Sequence, residues 1–148
     1  MKPITQEWTE KAEGDYRVAA DQWEKDKPVY DAICFHAQQC IEKYLKAWLV
    51  EHEIDFPQGR TARRVVRHLK AWLTEHEIDF PRIHDLELLG RLCIPSLPEM
   101  SELLDRLRLL TSFAVEVRYP GITAEKEDAE MCWQAAMEIR EPLRIHLR

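Results

Sequence analysis

The sequence predicts an all-α protein: an antiparallel up-and-down bundle of about five helices, plus one extra helix from an inserted duplication. Apolar residues recur at three- and four-residue steps along most of the 148-residue chain, which is the period of an amphipathic helix. Only four glycines are present, which argues against a fold rich in β-turns. A chain of this length can bury about two-thirds of its unfolded surface in one core. We therefore expect a single domain over 1–148, with an insertion at about 58–81.

The first helix is predicted to run from Thr5 to about Lys25. Thr5 has a hydroxyl suited to an N-cap, and acidic residues follow it near the positive end of the helix dipole. Pro28 breaks the helical pattern, and the next helix starts near Val29; so short a break predicts that the two helices are antiparallel. The buried stripe of the first helix comprises Trp8, Ala12, Tyr16, Ala19 and Trp23.

The stretch from Asp31 to Leu49 is predicted to form the central helix, because its apolar residues cover roughly half of the helix circumference. A helix with so broad an apolar face contacts more than one neighbour. A narrower stripe on the opposite side contains His36, Gln39 and Lys43 at i, i+3 and i+7. The apolar face comprises Ile33, Cys34, Ala37, Cys40, Ile41, Tyr44, Leu45, Trp48 and Leu49.

A tandem duplication follows the central helix. The sequence LKAWLVEHEIDFP at 45–57 returns as LKAWLTEHEIDFP at 69–81, and the copies differ only at Val50 and Thr74. Two copies are too few for a solenoid, so we interpret the duplication as an insertion that forms its own helix from about 61 to 77. The apolar face of that helix must be covered, and we expect a homodimer contact or an extended groove to cover it. The predicted interface residues are Val65, Val66, Leu69 and Trp72.

Three further helices complete the predicted bundle. A short one is expected over 84–93. The next is predicted to begin at Ser96, as the N-cap of a capping box, and to run to about Arg118. Thr123 is predicted to cap the last helix, which Pro142 ends or kinks.

The charge distribution limits the partners that the chain can bind. Its net charge of −6 gives no overall attraction to nucleic acid or anionic lipid. One basic patch stands out, because no acidic residue occurs across 58–70. It is either a contact for RNA phosphate or an acidic partner, or a solvated face. The patch comprises Arg60, Arg63, Arg64, Arg67 and Lys70.

Several classes of protein find no support in the sequence. The chain has no apolar signal region at its start and no run approaching the roughly 20 apolar residues that span a membrane, so we expect a cytoplasmic protein without membrane contact. Four scattered cysteines lack the spacing of zinc ligands and are interpreted as reduced core residues. No phosphate-binding glycine loop, nucleophile elbow or metal-ligand motif is present. We therefore predict no metal and no cofactor.

Four stretches carry a resemblance to a known family. WTEKAEGDYRVAA at 8–20, CFHAQQCIEKYLKAWL at 34–49, HDLELLGRL at 84–92 and VRYPG at 117–121 occur in this order. Together they resemble the HEPN family of small all-α domains over nearly the whole chain. The resemblance implies an antiparallel helical bundle that often operates beside a minimal nucleotidyltransferase, in many cases as a toxin–antitoxin pair. The chain departs from the family pattern by about 24 extra residues before HDL.

The strongest candidate ligand site is the stripe of His36, Gln39 and Lys43. An imidazole, an amide and an ammonium on one helix face can hold a phosphate or the edge of a nucleobase. The alternative is that a neighbouring residue satisfies a partly buried His36.

Two residue pairs further along the chain also have two interpretations. His84 and Asp85 are either ligand residues or the start of a capped helix. Arg118 and Tyr119, at a predicted helix C-terminus, either bind a ligand or serve the structure.

Several HEPN branches are ribonucleases with an Arg, four to six residues, then a His. Here Arg63 and His68 match that spacing, as do Arg140 and His146. Neither pair lies where the family motif falls, which is late in the bundle, so both are weak candidates.

Two hypotheses follow from the sequence. The favoured one is a non-catalytic HEPN interaction module that forms a homodimer, pairs with a minimal nucleotidyltransferase and binds a nucleotide or phosphate. The alternative is a metal-independent RNase toxin with a composite Arg and His site.

Overall fold

The computed structural model describes residues 1–56, 85–116 and 120–148, and these residues contain five α-helices, one 3-10 helix and no strand. The predicted all-α fold is therefore confirmed. The helices are α1 (Pro3–Trp23), α2 (Tyr30–Glu51), α3 (Leu86–Cys93), a 3-10 helix (Pro98–Leu103), α4 (Leu104–Glu116) and α5 (Lys126–His146). No helix in the described ranges is long and apolar enough to cross a membrane.

Some predictions lie outside the described residues. They concern the inserted helix, the basic patch, the predicted interface, the weak catalytic pair of Arg63 and His68, and three of the candidate ligand residues. The residues in question are Arg60, Arg63, Arg64, Val65, Val66, Arg67, His68, Leu69, Lys70, Trp72, His84, Arg118 and Tyr119.

Helix α2 is the centre of the bundle, as its broad apolar face predicts. It packs against α1, α3, α4 and α5. Ile33, Ile41, Leu45 and Leu49 on this helix are fully buried. The backbone N–H of Lys2, just before α1, donates to Oε2 of Glu51 at the end of α2 at 2.9 Å, so the two helices run antiparallel.

The first copy of the duplicated sequence completes α2. Its Leu45, Trp48 and Leu49 all lie in the core. The indole Nε1 of Trp48 donates to Oγ of Ser96 at 2.8 Å, which satisfies a polar group that is costly to bury unpaired. The central helix therefore keeps its C-terminal turn without the second copy.

Two predicted N-caps are wrong, because a distant partner binds the hydroxyl. Helix α1 begins at Pro3, where a proline suits the first turn, and Thr5 is buried with its Oγ1 donating to Glu51 at 2.7 Å. Ser96 accepts from Trp48 and donates to the carbonyl of Cys93 at 3.2 Å. The segment that follows starts as the 3-10 helix instead of at Ser96.

The predicted start of the last helix is also wrong. Thr123 is exposed, and the N-cap of α5 is Glu125, which forms a reciprocal capping box with Asp128. Pro142 does not end the helix, which continues to His146. Proline lacks its own N–H and crowds the carbonyl of the preceding turn, but the buried neighbours Ile139 and Leu143 hold this turn against the core.

Helix α3 approaches α4 closely at Gly90. A Cβ at this position would collide with the buried side chain of Leu107. The glycine therefore permits a helix contact that any larger residue would obstruct.

Candidate functional site

A polar cluster lies between α1 and α2, and its centre is Asp15. Oδ1 of Asp15 lies 2.7 Å from Nδ1 of His36, and Oδ2 accepts a hydrogen bond from Nζ of Lys43. The imidazole and the ammonium lie seven residues apart on α2, so both face α1. We call Asp15, His36 and Lys43 the Asp15 cluster.

The local sequence explains why this carboxylate is buried. Ala12 and Ala19 lie at i−3 and i+4 from Asp15 on the same face of α1, and both are fully buried. Their small side chains allow the two helices to approach closely, which places the intervening carboxylate inside the interface. Asp15 is only 8% exposed as a result. A buried carboxylate needs charged or hydrogen-bonding partners, and α2 supplies two.

The cluster orients the imidazole of His36. An ionised carboxylate only accepts hydrogen bonds, so the proton of the short contact lies on Nδ1 and Nε2 remains for another partner. Phe35 packs edge-on against the ring, with 5.2 Å between ring centroids. The side chains of His36 and Lys43 are 27% and 24% exposed. The site can therefore offer one imidazole nitrogen and one ammonium to a ligand.

Gln39 belongs to a different network. Its Nε2 donates to Oε1 of Gln38 at 2.8 Å and to Oε2 of Glu42 at 3.4 Å. Lys46 donates to Oε1 of Glu42 at 2.6 Å and lies 5.4 Å from the ring of Trp8. The structure therefore brings His36 and Lys43 together, whereas Gln39 takes part in a string of polar side chains along α2.

A second polar cluster joins α1, α2 and α5 at Glu13. Arg140 donates from Nε at 2.9 Å and from Nη2 at 2.8 Å, and Tyr44 donates from its hydroxyl. Burial alone would raise the pKa of Glu13, but the hydrogen bonds from Arg140 and Tyr44 outweigh it and the pKa is lowered. Burial and the hydrogen bond to Glu13 raise the pKa of Tyr44. The cluster therefore holds an ionised glutamate and a neutral tyrosine.

The predicted pair of Arg140 and His146 is not assembled as a site. Arg140 is engaged by Glu13 and lies over the ring of Tyr16 at 3.9 Å. Nε2 of His146 lies 3.5 Å from Glu99, and its ring meets Trp48 edge-on. The two side chains serve different contacts.

The capping interpretation of Asp85 is confirmed. Its Oδ1 accepts from the backbone N–H of Glu87 at 2.9 Å and of Leu88 at 3.4 Å, at the start of α3. A binding role for Asp85 stays a prediction.

The cysteines are core residues, as predicted. Cys34, Cys40, Cys93 and Cys132 are all free and buried, and the thiols of Cys34 and Cys132 share a hydrogen bond. In the described ranges no group of three or more His, Cys, Asp or Glu is placed to hold a metal ion.

Sequence reasoning missed both acidic residues that organise these clusters. Asp15 interrupts the apolar stripe of α1, and Glu13 lies beside that stripe, so neither belongs to the pattern that predicts the helix. That interruption was the available signal: Asp15 lies between Ala12 and Ala19, so any helix that buries the alanines also buries the carboxylate.

Comparison with known proteins identifies one family. A family model described as the HEPN domain matches the chain over residues 5–71 and again over 65–146. The two matched stretches overlap and together span most of the sequence, and two overlapping matches are consistent with an internal repeat. No curated protein and no solved structure matches the chain.

Proposed function

The chain belongs to the HEPN domain family, and on that premise we propose that it is a dimeric interaction module that binds a nucleotide or phosphate at the Asp15 cluster. Its protein partner is a minimal nucleotidyltransferase, with which it forms a toxin–antitoxin-like pair. The free, buried thiols suit a reducing compartment, and we place the protein in the cytoplasm.

The observation that carries the proposal is the contact of one buried carboxylate with both an imidazole and an ammonium. Lys43 alone would neutralise Asp15. His36 adds a second hydrogen-bonding group beside the same carboxylate. A phosphate oxygen can accept from a remaining hydrogen of Lys43 and lie within reach of Nε2 of His36. Both side chains reach solvent, so a ligand can approach without opening the core.

The nucleotidyltransferase pairing is supported by family membership. It is tested by co-expressing the chain with the nucleotidyltransferase encoded beside it and purifying either protein by a tag. Recovery of the untagged partner in a fixed ratio supports the pairing. Separate elution of the two proteins at micromolar concentration contradicts it.

The ligand site is tested by calorimetric titration of ATP, GTP and inorganic phosphate into the full chain. His36→Ala and Lys43→Ala should each weaken binding by roughly tenfold or more, because each removes one charge-assisted hydrogen bond. Lys11→Ala is the matched control, since it removes an ammonium from an exposed position of α1. Equal affinity in all four proteins would place any bound anion elsewhere.

A metal-independent RNase toxin is the second candidate, and the Asp15 to His36 hydrogen bond favours it. A carboxylate that fixes Nδ1 and leaves Nε2 for a substrate is an arrangement suited to a general base. Total RNA incubated with the protein and EDTA tests this function, with His36→Ala and His68→Ala as comparisons. Intact RNA rules the candidate out, whereas loss of cleavage in one variant identifies the base.

A further inference from the structure

A groove of about 520 Å³ lies on the surface between α4 and α5. Its floor is apolar and consists of Leu109, Met131 and Ala135. Met131 is 50% exposed, which is unusual for a methionine that lies beside a core. Methionine adapts its shape to different partners and is common at surfaces that bind apolar helices.

The rim of the groove is acidic. Glu127 and Glu130 are exposed on α5, and Glu138 on the same helix also lines the groove. One basic residue, Arg106, lies on the rim and pairs with Glu138 at 2.8 Å, and Lys126 approaches Glu130 at 3.9 Å. Glu127 contributes a further negative charge to the rim.

The sequence contains a segment with the opposite character. Residues 58–73 carry both the basic patch and the apolar residues of the predicted interface. Its first and last basic positions, Arg60 and Lys70, are ten residues apart, and the first and last acidic positions of the rim, Glu127 and Glu138, are eleven residues apart. The segment and the groove therefore both combine apolar with charged residues, and their charges are of opposite sign.

We propose that the groove between α4 and α5 binds residues 58–73 of a second copy of this chain. Each copy carries both the groove and the segment, so two copies related by a twofold axis form two identical contacts. A stable interface buries about 1,200–2,000 Å² in total. Because the dimer has two identical contacts, each contact needs to bury only half of that area. The proposal rests on the self-association included in the proposed function, and it names the surface responsible.

The test reverses charge on one side at a time. The groove variant is Glu127→Lys with Glu130→Lys, and the segment variant is Arg63→Glu with Arg67→Glu. Sedimentation velocity gives the dimer dissociation constant of each. Either variant alone should dimerise roughly tenfold more weakly than the wild type, because like charges then face each other. An equimolar mixture should recover wild-type affinity, since both contacts then pair opposite charges.

The control is Glu24→Lys with Asp26→Lys, which makes the same charge change in the exposed turn after α1 and should leave dimerisation unchanged. A groove variant that dimerises like the wild type overturns the proposal, as does a mixture that fails to recover. A wild type that is monomeric at every concentration overturns self-association as well. Nucleotide affinity, measured separately, then decides whether the ligand site of the proposed function survives.

Discussion

The guanidinium of Arg140 donates two hydrogen bonds to the carboxylate of Glu13, at 2.9 and 2.8 Å, although the two residues are 127 positions apart in the sequence. The Arg140 side chain is only 12% exposed and lies over the ring of Tyr16, which itself stacks on Trp133. One residue of α5 therefore fixes the position of α1 by charge and by ring contact together.

Arg140→Ala should lower the free energy of unfolding by about 2 kcal/mol, less than for a fully buried pair because Glu13 remains partly solvated. Arg140→Lys should recover only part of this loss, since an ammonium cannot bind both oxygens or stack on the ring. Urea denaturation measures both, with Arg91→Ala as a control for an exposed pair. Equal stability of the Lys variant and the wild type would show that charge alone matters.

Asp15→Asn should separate stability from ligand binding. The amide cannot neutralise Lys43, so the free energy of unfolding should fall by about 1–3 kcal/mol. His36 and Lys43 lose their internal anion, however, and inorganic phosphate should bind several-fold more tightly than to the wild type. Thermal denaturation and calorimetry give the two quantities. Unchanged phosphate affinity would mean that these cations do not reach the ligand.

The two helical glycines should respond oppositely to the same change. Gly14 has open space where a Cβ would lie, so Gly14→Ala should stabilise the protein by about 0.5–1 kcal/mol through helix propensity. Gly90→Ala forces Leu107 out of its buried position and should destabilise by about 1–3 kcal/mol. Melting temperatures of the two variants provide the comparison. A rise in both would indicate that α3 can move away from α4 without loss.

Glu87 should contribute acid-sensitive stability. Hydrogen bonds from Arg108, with a further contribution from Arg91, lower the pKa of its carboxyl from 4.5 to about 2. Because the folded pKa lies below the unfolded one, the stabilisation is present above 4.5 and is lost as the pH falls towards about 2.

Glu87→Gln removes this titrating group. The stability difference between wild type and variant should therefore be largest near neutral pH and should shrink at about pH 3. Urea midpoints at both pH values measure it, and Glu102→Gln, at an exposed position, is the control. A difference that stays constant on acidification would contradict the pKa assignment.

The helices were predictable because periodicity reports which face is buried. The ends of the helices were less predictable, because a side chain that could cap a helix can instead form a hydrogen bond with a residue elsewhere in the fold. Thr5 and Ser96 both have the chemistry of an N-cap, yet Glu51 and Trp48 bind their hydroxyls across the fold. Within the described ranges, the hydrogen bonds that Asp85 accepts come from the backbone N–H groups of Glu87 and Leu88, and its predicted cap is present.

Only part of the candidate site could be predicted from the sequence, for a similar reason. His36 and Lys43 share a face of one helix, and helical spacing brings them together without reference to any other element. Asp15 joins them only through the register between α1 and α2, which the packing of Ala12 and Ala19 sets. A sequence pattern within one helix does not encode that register.

Because α2 already contains the first copy of the repeat, the gene can lose the insertion in one step. Deleting 24 codons between corresponding positions of the two copies preserves the reading frame. The product reads from EHEIDF directly into Pro81 and keeps the leucines and tryptophan that α2 buries. The shorter chain therefore still encodes an intact central helix, whereas the residues between the two copies are lost with the deletion.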